Sequence, residues 1–426
     1  MKQNIGNLVI IALVILNVIV WLVFPPVFDG RPNFLRQYAG EIIGSNNIIL
    51  MACSLFLSTR PKWAEQYFGG LDKMYMTHRR LGTAAFLLIF VHVLTVPIST
   101  TGWRLGNYLA VIAFTGIVSI VLVTLAPRIP FLNRLSGNDY EDWKKFKRWI
   151  GIFFILGFLH SLTIGNPLHA LIAITWVQIF FIIGTVSYLY TELFGGFFKK
   201  LVPYKVDTVK HPNNSSTEVT LRPRKEPIQK HRAGQFLFVR FPGDKDLNES
   251  HPFTISSAPA EDVLRLTIKA SGNFTRDLFA KLKDGTDAII EGAYGMFNYK
   301  TGGPKQIWIA GGIGLTPFLS FVRDMDGNLR HNVDLYYTVR HPEEAVFVDE
   351  LEAAAAKNPT LNVHIRYSAK EGSLTVEDIV KNAGGNIGGH DVYLCGPLPM
   401  MQAFEKKFID LGLPKNNIHY EEFNFR

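Results

Sequence analysis

Two histidines, His78 and His92, stand 14 residues apart in the apolar stretch Met76–Pro97, and a third, His160, lies in a later apolar stretch. That spacing is close to four helical turns, so both rings fall on roughly one face, about 21 Å apart along the axis. A histidine at hydrocarbon depth is costly and usually has a job. Neutral imidazole is a standard haem iron ligand, and two rings at opposite depths suit two stacked metal centres. A hydrogen bond to a neighbouring helix explains any single membrane histidine about as well. Two on one face, followed by a third, favour ligation.

These rings need helices to carry them. Six candidate spans cover about residues 7–27, 41–59, 76–97, 107–126, 147–165 and 168–194. The second is the weakest, because Glu41, Asn46 and Asn47 lie at its start. Arg60, Lys62 and Lys73 precede the third span, and Arg128, Arg134, Lys144 and Lys145 follow the fourth. The loop after the third holds Arg104 alone, and the loop after the fifth holds no Lys or Arg. The positive-inside rule then predicts a multi-pass cell-membrane protein with both termini cytoplasmic. His78 becomes the inner histidine and His92 the outer, with His160 near the outer end of the fifth span. His92 and His160 at one depth on two helices have the geometry for clamping one haem in a bundle.

An inner pair needs a histidine about 13 residues before His160, but position 147 is Lys147 and residues 93–159 contain no histidine. A lysine amine ligates iron only when deprotonated; snorkelling to the interface is its simpler role. Arg79, Arg80 and Arg148 could bind anionic groups such as haem propionates or a flavin pyrophosphate, or serve only as topology anchors. His169, after Pro167, reads as an interfacial loop residue.

Composition bounds the rest. The chain has 426 residues, enough for two or three domains, and is 48% hydrophobic with the apolar mass concentrated before about residue 198. Its net charge of +8 sits largely beside the apolar segments, which fits membrane topology and argues against a nucleic-acid partner. Only two cysteines occur, Cys53 and Cys395, so no disulfide framework or cysteine metal cluster is expected. Lys2 before a long apolar run without a clear cleavage site reads as an uncleaved first helix.

The second half alternates short elements. Runs at 204–209, 217–221, 235–241, 264–270 and 288–291, divided by turn residues, predict a small antiparallel barrel. Within it lies His251-Pro252-Phe253-Thr254-Ile255-Ser256-Ser257, whose aromatic and hydroxyl groups could lie beside a flavin. Lys269-Ala270-Ser271-Gly272-Asn273-Phe274-Thr275 then opens a helix; Gly272, Asn273 and Thr275 could hold a pyrophosphate on backbone N–H groups, or simply cap the turn. From Lys305 strands and helices alternate, which predicts a doubly wound sheet. Gly311-Gly312-Ile313-Gly314-Leu315-Thr316-Pro317 follows its first strand and Cys395-Gly396-Pro397 a later one, so a dinucleotide crevice is expected there. Arg340, after the second strand, could meet a ribose 2′-phosphate and favour NADPH over NADH, or be a solvated arginine. Phe425 in the aromatic tail could cover a flavin face or pack as core.

Taken in order, the paired histidines, HPFTISS, SGNFT, GAYG (292–295), AGGIGLTPF, CGPLPM and the penultimate aromatic resemble the NADPH oxidase and ferric reductase family, in particular its bacterial single-chain members. The resemblance implies a six-helix transmembrane haem bundle (1–200), an antiparallel β-barrel FAD domain (201–302) and an α/β doubly wound, ferredoxin reductase-like NAD(P)H domain (303–426). It implies that His92 and His160 ligate an outer haem b and that His78 is one ligand of an inner haem. His251, Pro252, Phe253 and Thr254 match its flavin motif. Gly311, Gly312, Gly314, Thr316, Pro317, Cys395, Gly396 and Pro397 match its nicotinamide-nucleotide loops, and Lys269, Gly272, Asn273, Thr275 and Arg340 complete the cofactor set. Thr254, Cys395 and Phe425 are the residues expected at the hydride-transfer centre. Lys147 replaces the family's fourth histidine, so one haem is expected and the inner position stays open. The resemblance implies electron transfer from NADPH through FAD and haem to an extracytoplasmic acceptor, dioxygen or a ferric or cupric complex; with no obvious partner-binding extension in the sequence, no obligate protein partner is expected. The alternative enzyme is a membrane-anchored, haem-free flavin reductase serving a cytoplasmic acceptor.

Overall fold

Helices that are apolar on every face need an apolar solvent around them. The computed structural model describes residues 4–97, 102–125, 148–163, 170–195, 200–228, 230–325 and 330–421; Lys147, His169 and Phe425 lie outside these. The chain divides into two units, Met1–Phe198 and Lys199–Arg426. In the first, the helices are α1 (Ile5–Val23), α2 (Phe34–Ser58), α3 (Lys62–Phe68), α4 (Leu71–Thr95), α5 (Leu105–Leu125), α6 (Ile150–Thr163) and α7 (Leu171–Leu189), which continues into a π-helical turn, Tyr190–Phe194. Ile11, Leu22, Ile112, Leu122, Ile182 and Val186 are exposed on their outer faces, the surface that lipid rather than water would cover.

Among the described residues, four helices are long and apolar enough to cross a membrane: Ile5–Val23, Phe34–Ser58, Leu105–Leu125 and Leu171–Phe194. The other two expected spans are the helices that carry the histidines. α4 has Asp72, Lys73, Arg79 and Arg80 in its first half, and α6 covers 14 described residues. α2 starts at Phe34 and not near residue 41, because Glu41, Asn46 and Asn47 mask its apolar pattern without breaking the helix. It packs against α1, α4 and α7, while α5 packs against α6. One of its buried polar residues, Ser45, finds a partner across this seam: Asn17 on α1 donates to Ser45 Oγ over 2.8 Å.

The second unit opens with β1 (Leu201–Asn213), β2 (Ser216–Pro223), β3 (Phe236–Arg240), β4 (His251–Thr254), β5 (Leu264–Lys269), α8 (Asn273–Lys281) and β6 (Asp287–Tyr294). The strands form one antiparallel sheet in the order β4-β3-β6-β1-β2-β5. A bridge between Ile255 and Leu266 joins the two edge strands, so the sheet curls into a barrel. Tyr204, Leu237, Phe241, Leu266 and Ile290 fill its interior.

β7 (Lys305–Gly311), α9 (Thr316–Arg323), β8 (Asn332–Val339), α10 (Val348–Lys357), β9 (Leu361–Tyr367), α11 (Val376–Asn382), β10 (His390–Cys395), α12 (Leu398–Asp410) and β11 (Ile418–Tyr420) follow. Their strands are all parallel, in the order β11-β10-β7-β8-β9. Each face of this sheet carries its own core. Trp308, Tyr337 and Tyr393 meet Phe318, Phe321 and Leu351 on one side, and Ile307, Ile309 and Val392 meet Ile379, Phe404 and Phe408 on the other. Strand order reverses between β7 and β10, so the crevice of a doubly wound sheet opens at their carboxyl ends. The barrel and this sheet are the ferredoxin reductase-like pair.

Candidate functional site

In the first unit each of the three histidines is held through Nδ1 by a carbonyl on a different helix. His92 Nδ1 donates to Gly40 O on α2 over 2.9 Å. His160 Nδ1, on α6, donates to Gly106 O on α5 over 2.9 Å. His78 Nδ1 lies 2.8 Å from Ser54 O and 2.9 Å from Ser54 Oγ. A carbonyl can only accept, so the ring proton sits on Nδ1 in all three. Nε2 is then the lone-pair nitrogen, and a carbonyl bond at the opposite nitrogen is what fixes the tautomer and orientation of metal-bound imidazoles. Gly44 leaves room for the His92 ring: a Cβ there would lie 3.0 Å from His92 Cε1. This donor set and cradle fit a haem. Of the basic residues singled out beside it, Arg148 pairs with Glu192 at 3.3 Å, and Arg79 and Arg80 are exposed.

In the second unit the flavin-motif residues His251, Pro252, Phe253 and Thr254 form β4, with Thr254 buried opposite Phe236 of β3. The His251 ring lies 3.9 Å from that of Phe274, and Phe253 stacks on Phe274 at 6.2 Å. Phe274 thus joins the two motifs, an assignment the sequence withheld because any helix-start aromatic reads as core. Around it, Thr275 Oγ1 accepts from Ser271 N and Gly272 N, each over 2.9 Å, so Thr275 shapes this turn as its cap. Asn273 Oδ1 accepts from Arg276 over 2.6 Å. Lys269 forms an ion pair with Glu344 at 3.6 Å.

At the switch point the two glycine loops touch backbone to backbone. A Cβ on Gly314 would sit 2.3 Å from Cys395 O, and one on Gly396 would sit 3.0 Å from Gly311 Cα. Gly312 has φ +54° with open space around it, the conformation and access that a pyrophosphate at a helix start requires. Thr316 Oγ1 donates to Ile313 O over 2.7 Å and Pro317 occupies the first turn of α9. Pro397 precedes α12, and Arg340 is exposed just past β8.

Cys395 is 1% exposed. Burial, with the nearby Glu421 carboxylate, pushes its thiol well above the ordinary range, so it stays protonated and is no thiolate nucleophile. Glu421 is itself buried, and its Oε1 would lie 3.2 Å from a Cβ on Gly295 of the GAYG turn. Gly295, Glu421 and Cys395 therefore lie beside one another at the carboxyl end of β10. Nothing in the sequence marked Glu421, one of two adjacent acids in the aromatic tail.

Arg323 was also invisible in sequence. Its side chain is 8% exposed and pairs in bidentate fashion with Glu350, at 2.6 and 2.9 Å. It donates to Ser256 O over 3.0 Å and reaches Glu218 at 3.3 Å. Ser320 Oγ donates to Ser257 O over 2.8 Å. The helix that begins at the nucleotide loop is thereby bolted to the strand that carries the flavin motif.

Comparison with known proteins agrees with this layout. Residues 43–110 match the ferric reductase like transmembrane component, 203–305 an FAD-binding domain and 308–406 an oxidoreductase NAD-binding domain. The reductase component of propane 2-monooxygenase from Rhodococcus jostii is 29% identical over 245 residues, covering 54% of this chain and 66% of that protein. The toluate 1,2-dioxygenase electron transfer component of Pseudomonas putida is 27% identical, covering 45% of this chain and 58% of that protein. A flavohemoglobin from Malassezia yamatoensis, solved with bound FAD and heme, shares the fold with a TM-score of 0.53 at 18% identity, over 92% of this chain and 98% of its own. Transmembrane component, FAD-binding domain and NAD-binding domain, in that order, make this chain an oxidoreductase with the architecture of the ferric reductase and NADPH oxidase-like family.

Proposed function

We propose that this protein is a multi-pass flavocytochrome of the cell membrane that moves electrons from cytoplasmic NADPH to an acceptor on the far side, dioxygen or a ferric or cupric complex. Its working parts are a six-helix haem domain (1–200), an FAD domain (201–302) and an NAD(P)H domain (303–426). The observation that carries this reading is the common state of His92 and His160, each with Nδ1–H on a carbonyl of another helix and Nε2 as the lone-pair nitrogen. His92 and His160 would hold one b-type haem, with His78 at a second, inner position.

When bound, FAD supplies the conversion of a two-electron donor to one-electron steps and haem supplies passage through an apolar layer about 30 Å thick. The protein's own residues do the rest. Phe253, His251 and Phe274 form an aromatic wall for the flavin. The Gly311–Thr316 and Cys395–Pro397 loops would bring backbone N–H groups to the dinucleotide, and Arg340, exposed just past β8, would meet a 2′-phosphate. Thr254 and the neutral Cys395 thiol bound the space where flavin and nicotinamide must meet, and their burial excludes water from it.

The test is the visible spectrum of the purified, dithionite-reduced full chain. A sharp b-type α-band that disappears in His92→Ala, with flavin content unchanged, supports the reading. Flavin without that band in the wild-type protein favours a haem-free membrane-anchored reductase, the reading that the oxygenase-system relatives would bring.

A further inference from the structure

α2 carries none of the histidines, yet one stripe of it grips the end of α4 that bears His92. Arg36, Gly40 and Gly44 recur every four residues along α2 and share a face. Arg36 Nε donates to Thr95 O over 3.1 Å and its Nη2 to Leu94 O over 3.2 Å. These are terminal carbonyls of α4, which have no partner within their own helix, and a cation is favoured there. Gly40 does two things. Its carbonyl accepts the His92 Nδ1 proton, and its missing Cβ admits Val96, whose Cγ1 would otherwise be 2.4 Å away. Gly44 faces the ring itself: a Cβ there would lie 3.0 Å from His92 Cε1 and 3.1 Å from Nδ1. The ring is therefore pinned at one nitrogen, walled on one side, and carried on a helix end that Arg36 holds in place.

We propose that this stripe is a positioning device that sets the plane of the His92 imidazole, and through it the electronic state of the iron that ring would ligate. The inference rests on the haem reading above. The angle of an axial imidazole plane splits the iron d orbitals, so rotating the ring changes the low-spin electron paramagnetic resonance signal even when iron stays bound. Gly44 is then an orienting residue, acting only through His92.

Two other glycines supply controls. Gly82 on α4 and Gly157 on α6 have nothing within 4 Å of a would-be Cβ. Alanine is the better helix former, so a loss at Gly44 alone comes from the ring contact. The experiment compares full-length wild type, Gly44→Ala, Gly82→Ala, Gly157→Ala and Arg36→Gln, each loaded with hemin, by low-temperature paramagnetic resonance, redox titration and flavin content. In Gly44→Ala the low-spin signal and midpoint potential shift, or haem is lost while flavin content holds. Arg36→Gln shifts the signal less, and the two open-space variants match wild type. A Gly44→Ala signal superimposable on wild type overturns the proposal, as does an equal change in Gly82→Ala. A wild-type chain that takes up no haem defeats the parent reading instead, before any variant is compared.

Discussion

His160 and His92 make parallel demands at the level of single atoms. Each has its proton drawn to Nδ1 by a carbonyl, and each loses in the alanine variant the nitrogen proposed to ligate haem. His160→Ala is expected to abolish the b-type α-band and leave NADPH-dependent ferricyanide reduction intact, because the reductase half does not contain it; retention of the band would remove His160 as ligand. Arg340→Ala should raise KM for NADPH about tenfold or more, the loss of one charge-assisted contact, and leave KM for NADH unchanged; equal effects on both would leave Arg340 a solvated arginine. His231 supplies a pH dependence. It is buried, and burial pulls its pKa below the ordinary value of 6.5. The folded protein therefore prefers the neutral ring. The stability from this preference is fully present above about pH 6.5 and is lost as pH falls through the lower folded value. Thermal melting between about pH 7 and 5 should show a smaller fall in His231→Gln than in wild type, followed by tryptophan fluorescence of the reductase half.

Elements were more legible than the contacts between them. The alternating strands and helices after Lys305 gave a parallel sheet because continuous apolar runs such as 307–310 are buried on both faces. The barrel strands were readable from their turns. β11 was missed because three residues carry no period, and α3 because a 7-residue helix between basic residues reads as loop. Arg323 could not be read at all: its partners Glu218 and Ser256 are 105 and 67 residues away in sequence. Its value is predicted from burial. Arg323→Leu leaves the buried Glu218 carboxylate without its cation, while the half-exposed Glu350 can turn to water, and should cost ~2–3 kcal/mol of reductase stability. Arg323→Lys should keep the fold but lower kcat for NADPH oxidation, since a point charge cannot reproduce the bidentate clasp; unchanged denaturation midpoints and kcat in both would reduce the clasp to a surface pair. Gly314→Ala should be at least as severe for nucleotide binding, because its Cβ would fall 2.3 Å from Cys395 O. Normal KM in a folded Gly314→Ala protein would mean the loops need not touch.

At the scale of the whole molecule, the two units divide the chemistry by solvent. The first exposes apolar side chains on its outer faces and keeps polar groups inward. The second buries its apolar side chains inside the barrel and on the two faces of the parallel sheet. The histidine spacing was readable because it matches the helical period, whereas the carbonyls of Gly40, Ser54 and Gly106 that hold the rings belong to other helices and carry no sequence signal. The account stands on charge crossing the membrane. The direct measurement uses proteoliposomes with ferricyanide trapped inside and the protein's reductase half outside, started with external NADPH under anaerobic conditions. The account predicts bleaching of the trapped ferricyanide in wild type and none in His92→Ala, with external ferricyanide reduced by both. Trapped ferricyanide left unbleached by wild-type protein that carries its full flavin and reduces the external acceptor would contradict it.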